Sequence, residues 1–63
     1  MTSRIRVLRA EKKMTQKQLS ELSGVSRATI SNIENDTAKN TMYSTLKSIA
    51  DALNTTVENL FSP

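Results

Sequence analysis

The chain has 63 residues, with nine Lys or Arg against six Asp or Glu, and a net charge of +3. It contains neither Cys nor His, which removes the usual metal ligands and the commonest general base, so we expect no enzyme, metal site or cofactor. The positive charge favours an anionic partner, either nucleic acid or an acidic membrane surface. No apolar run exceeds two residues, so we expect no membrane segment and a soluble cytoplasmic protein forming one domain over residues 1–63.

The first helix is predicted over residues 3–12. Ile5 and Leu8 share one face at helical spacing, and Met14 is expected to pack inward just beyond the end. Arg9 lies beside this apolar face rather than opposite it. Arg4 and Arg6 are expected to point into solvent.

The segment from 15 to 35 predicts two short helices joined by a tight corner. Residues 16–23 place Leu19 and Leu22 inward, and residues 27–34 place Ile30 and Ile33 inward. Gly24 follows the first of these helices, where glycine adopts the left-handed conformation that ends a helix.

Both helices begin with residues suited to capping. Thr15 and Gln18 have the spacing of a capping box, and Ser26 can cap the helix that starts at residue 27. Two caps and a glycine corner in this order predict a helix-turn-helix over about residues 16–35.

The last part of the chain predicts two further helices after a polar loop. Asn35 or Asp36 is expected to adopt the left-handed conformation in that loop. Residues 41–53 carry a clean apolar stripe, with Thr41 as a possible cap, and a short fifth helix is expected from Thr56 to Phe61.

The stretch TQKQLSELSGVSRATISNIEN resembles the helix-turn-helix of lambda-repressor-like regulators, also called the XRE or Cro/C1-type family, and the likeness extends from Ile5 to Phe61. The matching features are the Thr-Gln opening at 15 and 16, GVSR at 24–27, TIS at 29–31, and IADAL at 49–53. The resemblance implies an all-α fold, a compact five-helix bundle that binds double-stranded DNA.

The resemblance also implies which residues contact DNA. With Ile30 and Ile33 buried, the residues that project outward for base contacts are Arg27, Ala28, Ser31 and Asn32. The expected phosphate contacts are Gln16, Lys17, Thr29, Asn35, Lys39 and Asn40. The alternatives are a phosphate contact for Arg27, and a merely solvated side chain for Asn32 or Gln16.

Two further expectations follow from the same family. Arg9 is expected to form a partly buried ion pair with Glu34, the alternative being two solvated charges. Family members usually bind as symmetric pairs, so Val57, Leu60 and Phe61 are expected to form a homodimer interface, unless they only close the core.

Three functions remain open at this point. The first is a stand-alone repressor encoded by a phage or on a bacterial chromosome. The second is a controller of a restriction-modification or toxin system. The third is a protein-interaction module that has kept the fold without binding DNA. Any small-molecule inducer is unknown from the sequence.

Overall fold

Four α-helices and a two-stranded sheet make up the regular structure of the computed structural model, which describes residues 2–38 and 40–62. The helices are α1 (Ile5–Glu11), α2 (Gln16–Ser23), α3 (Arg27–Glu34) and α4 (Tyr43–Ala52). The strands β1 (Thr2–Ser3) and β2 (Phe61–Ser62) pair antiparallel, and a 3₁₀ turn (Glu58–Leu60) precedes β2. The fold is therefore mostly helical, but the expected bundle of five helices is wrong.

All four helices contribute to one small core. Its buried residues are Ile5, Leu19, Ile30, Ile33, Ile49, Ala50, Leu53 and Leu60. Met14 packs against this core, as expected, but Leu22 is 66% exposed. Leu22 lies about 60° around α2 from Leu19, and a core this small covers only a narrow stripe of each helix.

The two ends of the described chain pair with each other, which shortens the first helix. Ser3 lies opposite Phe61, and the backbone N–H of Arg4 donates to the carbonyl of Leu60 at 2.7 Å. Thr2 and Ser3 are held as a strand by this pairing, so α1 begins at Ile5 and not at Ser3.

The same pairing replaces most of the expected fifth helix. Thr56 still accepts a hydrogen bond from the N–H of Asn59 at 3.3 Å, as a capping residue does. Only one 3₁₀ turn follows, because Phe61 is already extended, with φ −130° and ψ 143°, where it enters β2. The expected cap of the fourth helix is also wrong, since Met42 precedes α4 without a side-chain cap.

The loop after α3 turns through a left-handed residue. Of the two candidates, Asp36 adopts this conformation, with φ 57°. In the described parts of the chain, the structure contains no helix with the length and apolar character needed to cross a membrane.

Candidate nucleic-acid interface

Local hydrogen bonds fix both ends of α2. Thr15 Oγ1 accepts from the N–H of Gln18 at 3.0 Å, and Gln18 Oε1 accepts from the N–H of Thr15 at 2.9 Å, which completes the predicted capping box. Gly24 ends the helix with φ 74°, and its N–H donates to the carbonyl of Ser20 at 2.9 Å. A Cβ at Gly24 would meet no atom within 4 Å, so the backbone conformation alone favours glycine here.

The next helix, α3, buries one side and exposes the other. Ser26 Oγ accepts from the N–H of Thr29 at 3.2 Å and caps the first turn, as predicted. Ile30 and Ile33 hold the inner side in the core with 0% and 3% exposure. On the other side Arg27, Ala28 and Asn32 are exposed and Ser31 is half-buried. This outer face carries one cation, one methyl group and short polar side chains.

Neighbouring side chains hold part of this outer face in place. The Thr37 hydroxyl lies 3.1 Å from the carbonyl oxygen of Asn32 and 3.4 Å from its Oδ1. One turn apart on the same side of α3, Asn35 Nδ2 donates to Ser31 Oγ at 3.4 Å. The end of α3 and the loop that follows are therefore connected through residues of the outer face.

The expected phosphate contacts lie in different surroundings. Lys17, Asn35 and Asn40 are exposed and Thr29 is half-buried, whereas Lys39 lies outside the described residues. Gln16 is half-buried, and its Nε2 donates to Glu34 Oε1 at 3.2 Å. The Gln16 side chain thus contacts α3 in this structure, which leaves its backbone N–H at the start of α2 for an anion.

A buried carboxylate joins the first three helices. Arg9 Nε and Nη2 donate to the two oxygens of Glu34 at 2.7 and 3.0 Å, and Arg9 Nη1 donates to the carbonyl of Met14 at 2.9 Å. The Glu34 side chain has 0% exposure and that of Arg9 has 15%. The structure thus brings Arg9 and Glu34 together as a two-point contact that braces α1 against α3.

The environment of Glu34 favours its charged form. Burial by itself raises the pKa of Glu34, but hydrogen bonds from Arg9 and Gln16, with the nearby charges of Arg9 and Arg6, outweigh it. The pKa of Glu34 is therefore lowered from its ordinary value. The carboxylate stays ionised at neutral pH and keeps its hydrogen bonds to both neighbouring helices.

Comparison with known proteins identifies this arrangement. The family model of the Cro/C1-type helix-turn-helix DNA-binding domain matches residues 4–63. The chain belongs to the Cro/C1-type helix-turn-helix family. It is also similar to the restriction-modification controller protein C.AhdI from Aeromonas hydrophila, with 31% identity and a TM-score of 0.82 over 92% of this chain and 86% of that one. A search among curated protein sequences finds no match.

Membership of the Cro/C1-type family makes the chain a DNA-binding regulator, and α2 and α3 are the two helices of its helix-turn-helix. The residues expected at a dimer interface are buried to different extents. Leu60 has 0% exposure and packs inside the core, which matches the alternative that these residues only close the core. Val57 and Phe61 are only partly buried.

The contacts of Arg6 at the end of α3 are not predicted from the sequence. Arg6 is exposed, as expected, and its Nη2 also donates to Asn35 Oδ1 at 3.0 Å, while its Nε lies 3.6 Å from Glu34 Oε1. The available signal was spacing, since Arg6 precedes Arg9 by three residues and so shares its side of α1.

Proposed function

We propose that this chain is a sequence-specific transcriptional regulator, and most simply a repressor that occupies an operator and obstructs transcription. The observation that carries the proposal is the outer face of α3, which is largely exposed and lacks acidic side chains, while the opposite face anchors the helix in the core. The major groove of B-DNA is about 12 Å wide and admits one α-helix. A helix held in this way can present its outer face to base edges.

Each residue of the outer face suits a particular contact. The planar guanidinium of Arg27, at the N-terminal end of α3, fits O6 and N7 of guanine. The amide of Asn32 suits adenine, and the methyl of Ala28 suits the methyl group of thymine. Ser31 adds a hydroxyl group nearby. The proposed phosphate contacts of Gln16, Lys17, Thr29, Asn35, Lys39 and Asn40 would set the register.

Replacing Arg27 tests whether α3 reads sequence. A preferred duplex is first selected from a random DNA pool, and affinities for it and for a scrambled duplex are then measured at one salt concentration. We expect Arg27→Ala to reduce the preference for the selected duplex by about 1 to 3 kcal/mol, because a bidentate base contact is lost. Lys12→Ala is the matched control, since it removes an exposed positive charge beyond the end of α1.

The control should weaken both duplexes slightly and leave the preference between them unchanged. If Arg27→Ala weakened both duplexes equally, Arg27 would be a phosphate contact and the base-reading role would be wrong. If the unaltered chain failed to shift even random duplex at low salt, the protein-interaction alternative would replace the proposal.

A controller of a restriction-modification system is the second candidate. The likeness to C.AhdI, at 31% identity, favours it. The two candidates differ in where the selected site occurs in the genome. A site beside genes for a modification enzyme or an endonuclease would support the controller, and a site beside unrelated genes would support the stand-alone repressor.

We propose that the regulator acts as a homodimer, because one recognition helix reads too few base pairs to select a genomic site. Two half-sites about 34 Å apart would match a symmetric pair. Val57 and Phe61, which are partly exposed near the end of the chain, are the apolar residues offered for this contact. Sedimentation at micromolar concentration with and without the selected duplex tests the pairing, and a monomer under both conditions would rule it out.

A further inference from the structure

We infer that Arg6, on the exposed side of α1, binds a phosphate of the DNA strand that borders the groove entered by α3. The inference rests on the proposed function and adds α1 to the surface that contacts DNA. Arg6 lies beside the C-terminal end of α3, but its side chain contributes little to the contacts that hold the helices together.

The carboxylate next to Arg6 is already provided with partners. Glu34 accepts from Arg9 at 2.7 and 3.0 Å and from Gln16 at 3.2 Å. Arg6 Nε lies 3.6 Å from the same carboxylate, which is too far for a good hydrogen bond. The Arg6 side chain is 66% exposed, whereas that of Arg9 is 15% exposed. Arg6 therefore adds little to the buried contact.

The charges around Glu34 do not balance. Arg6 and Arg9 together carry two positive charges, and Glu34 carries one negative charge. Within residues 2–38 and 40–62, Glu34 is the one carboxylate in ion-pair range of Arg6. One positive charge is thus left over, and it is on the arginine that faces solvent.

The position of Arg6 relative to α3 suggests what this charge meets. Arg6 Nη2 donates to Asn35 Oδ1 at 3.0 Å, and Asn35 in turn reaches Ser31 on the outer face. Recognition helices of this type contact base edges mainly with their N-terminal residues. The C-terminal end of α3, beside which Arg6 of α1 lies, is then expected to approach the sugar-phosphate strand at the edge of the groove.

The guanidinium of Arg6 has donors to spare for this contact. One N–H of Nη2 is used by Asn35, and Nε faces Glu34, which leaves both N–H groups of Nη1 and the second of Nη2. The planar fork of arginine matches two phosphate oxygens. The contact with Asn35 holds the fork beside a residue that is itself proposed to bind phosphate.

Salt dependence of binding tests the inference with three variants. Arg6→Gln removes the charge, and Arg6→Lys keeps it. Lys12→Gln is the matched control, since it removes another exposed positive charge, just beyond the C-terminal end of α1. We expect Arg6→Gln to make the slope of log affinity against log salt shallower by about 0.9. Arg6→Lys should keep most of the slope, and Lys12→Gln should change it less than Arg6→Gln does.

A second measurement separates a DNA contact from a merely structural role. Single phosphates of the selected duplex are replaced one at a time by uncharged methylphosphonates. The unaltered chain should lose affinity at a flanking phosphate to which Arg6→Gln is indifferent, and melting temperatures are recorded in parallel. A structural brace would lower the melting temperature without removing sensitivity at any one phosphate.

The inference is overturned if Arg6→Gln and Lys12→Gln change the slope equally, or if no phosphate loses its effect in Arg6→Gln. Either result, obtained while Arg27→Ala still reduces sequence preference, would leave the proposed function intact. Failure of the unaltered chain to bind any duplex would instead remove the proposed function.

Discussion

Two ion pairs in this chain have nearly the same length and very different surroundings. Arg9 Nε lies 2.7 Å from Glu34 Oε2, and Lys47 Nζ lies 2.6 Å from Asp51 Oδ1. The side chains of the first pair are 15% and 0% exposed, and those of the second are 55% and 61% exposed. Distance alone would rank the two pairs as equals.

Water makes the difference between them. Lys47 and Asp51 sit one turn apart on α4 and can each be solvated as well when separated, so their attraction contributes little. Glu34 has no such alternative, because breaking its contact with Arg9 would leave a buried charge without a partner. The buried pair joins two helices, whereas the exposed pair stays within one.

The largest expected effect comes from breaking the buried pair. Arg9→Met removes the guanidinium and keeps most of the apolar stem, and we expect it to cost about 3 kcal/mol or more of folding free energy. The double variant Arg9→Met with Glu34→Gln should lose less folding free energy than the sum of the two single variants, because Glu34→Gln removes the buried charge that Arg9→Met leaves without a partner. Urea denaturation of the four proteins measures the coupling.

The exposed pair of Lys47 and Asp51 provides the control for this set of single and double variants. Lys47→Met, Asp51→Asn and their combination should leave stability nearly unchanged and show no coupling above the error of the measurement. Additive losses for Arg9 and Glu34 would mean that the two groups act independently, and the comparison between buried and exposed pairs would then fail.

The parts of the fold that sequence predicted well depend on neighbouring residues. Thr15 and Gln18 cap α2 through a contact between residues three apart, and Gly24 ends the same helix in the left-handed conformation, with its N–H on the carbonyl of Ser20 four residues earlier. The strands escaped prediction because they depend on Ser3 meeting Phe61. Two-residue strands have no periodicity to detect, so only the folded chain reveals that its ends pair.

In the candidate site too, features set by local spacing are predicted from the sequence, and features set by the packing of helices are not. The outer face of α3 follows from the burial of Ile30 and Ile33, which the spacing of apolar residues predicts. The contact of Gln16 with Glu34 depends on how α2 and α3 are packed, so it could not be read from the sequence. The spacing of Arg6 and Arg9 places both on one side of α1, but the contact of Arg6 with Asn35 depends on how α1 packs against α3.

Protonation of Glu34 by acid is expected to lower the folding free energy by less than the substitutions that break the buried pair. The pKa of Glu34 in the folded chain lies below its ordinary value of 4.5, which is close to that of the unfolded chain. Between these two values the unfolded chain binds more protons, so lowering the pH favours unfolding. The stability contributed by Glu34 is complete above the unfolded-state pKa and is lost as the pH falls through the folded-state value.

Melting temperatures measured from about pH 6 down to about pH 3 should therefore fall more steeply for the unaltered chain than for Glu34→Gln, which has no proton to bind at this position. Asp51→Asn is the matched control, since it removes a carboxylate from the exposed pair. It should keep the steep dependence. If Glu34→Gln and Asp51→Asn gave the same curve as the unaltered chain, the acid sensitivity would come from other carboxylates, and burial would not distinguish the two pairs in their response to pH.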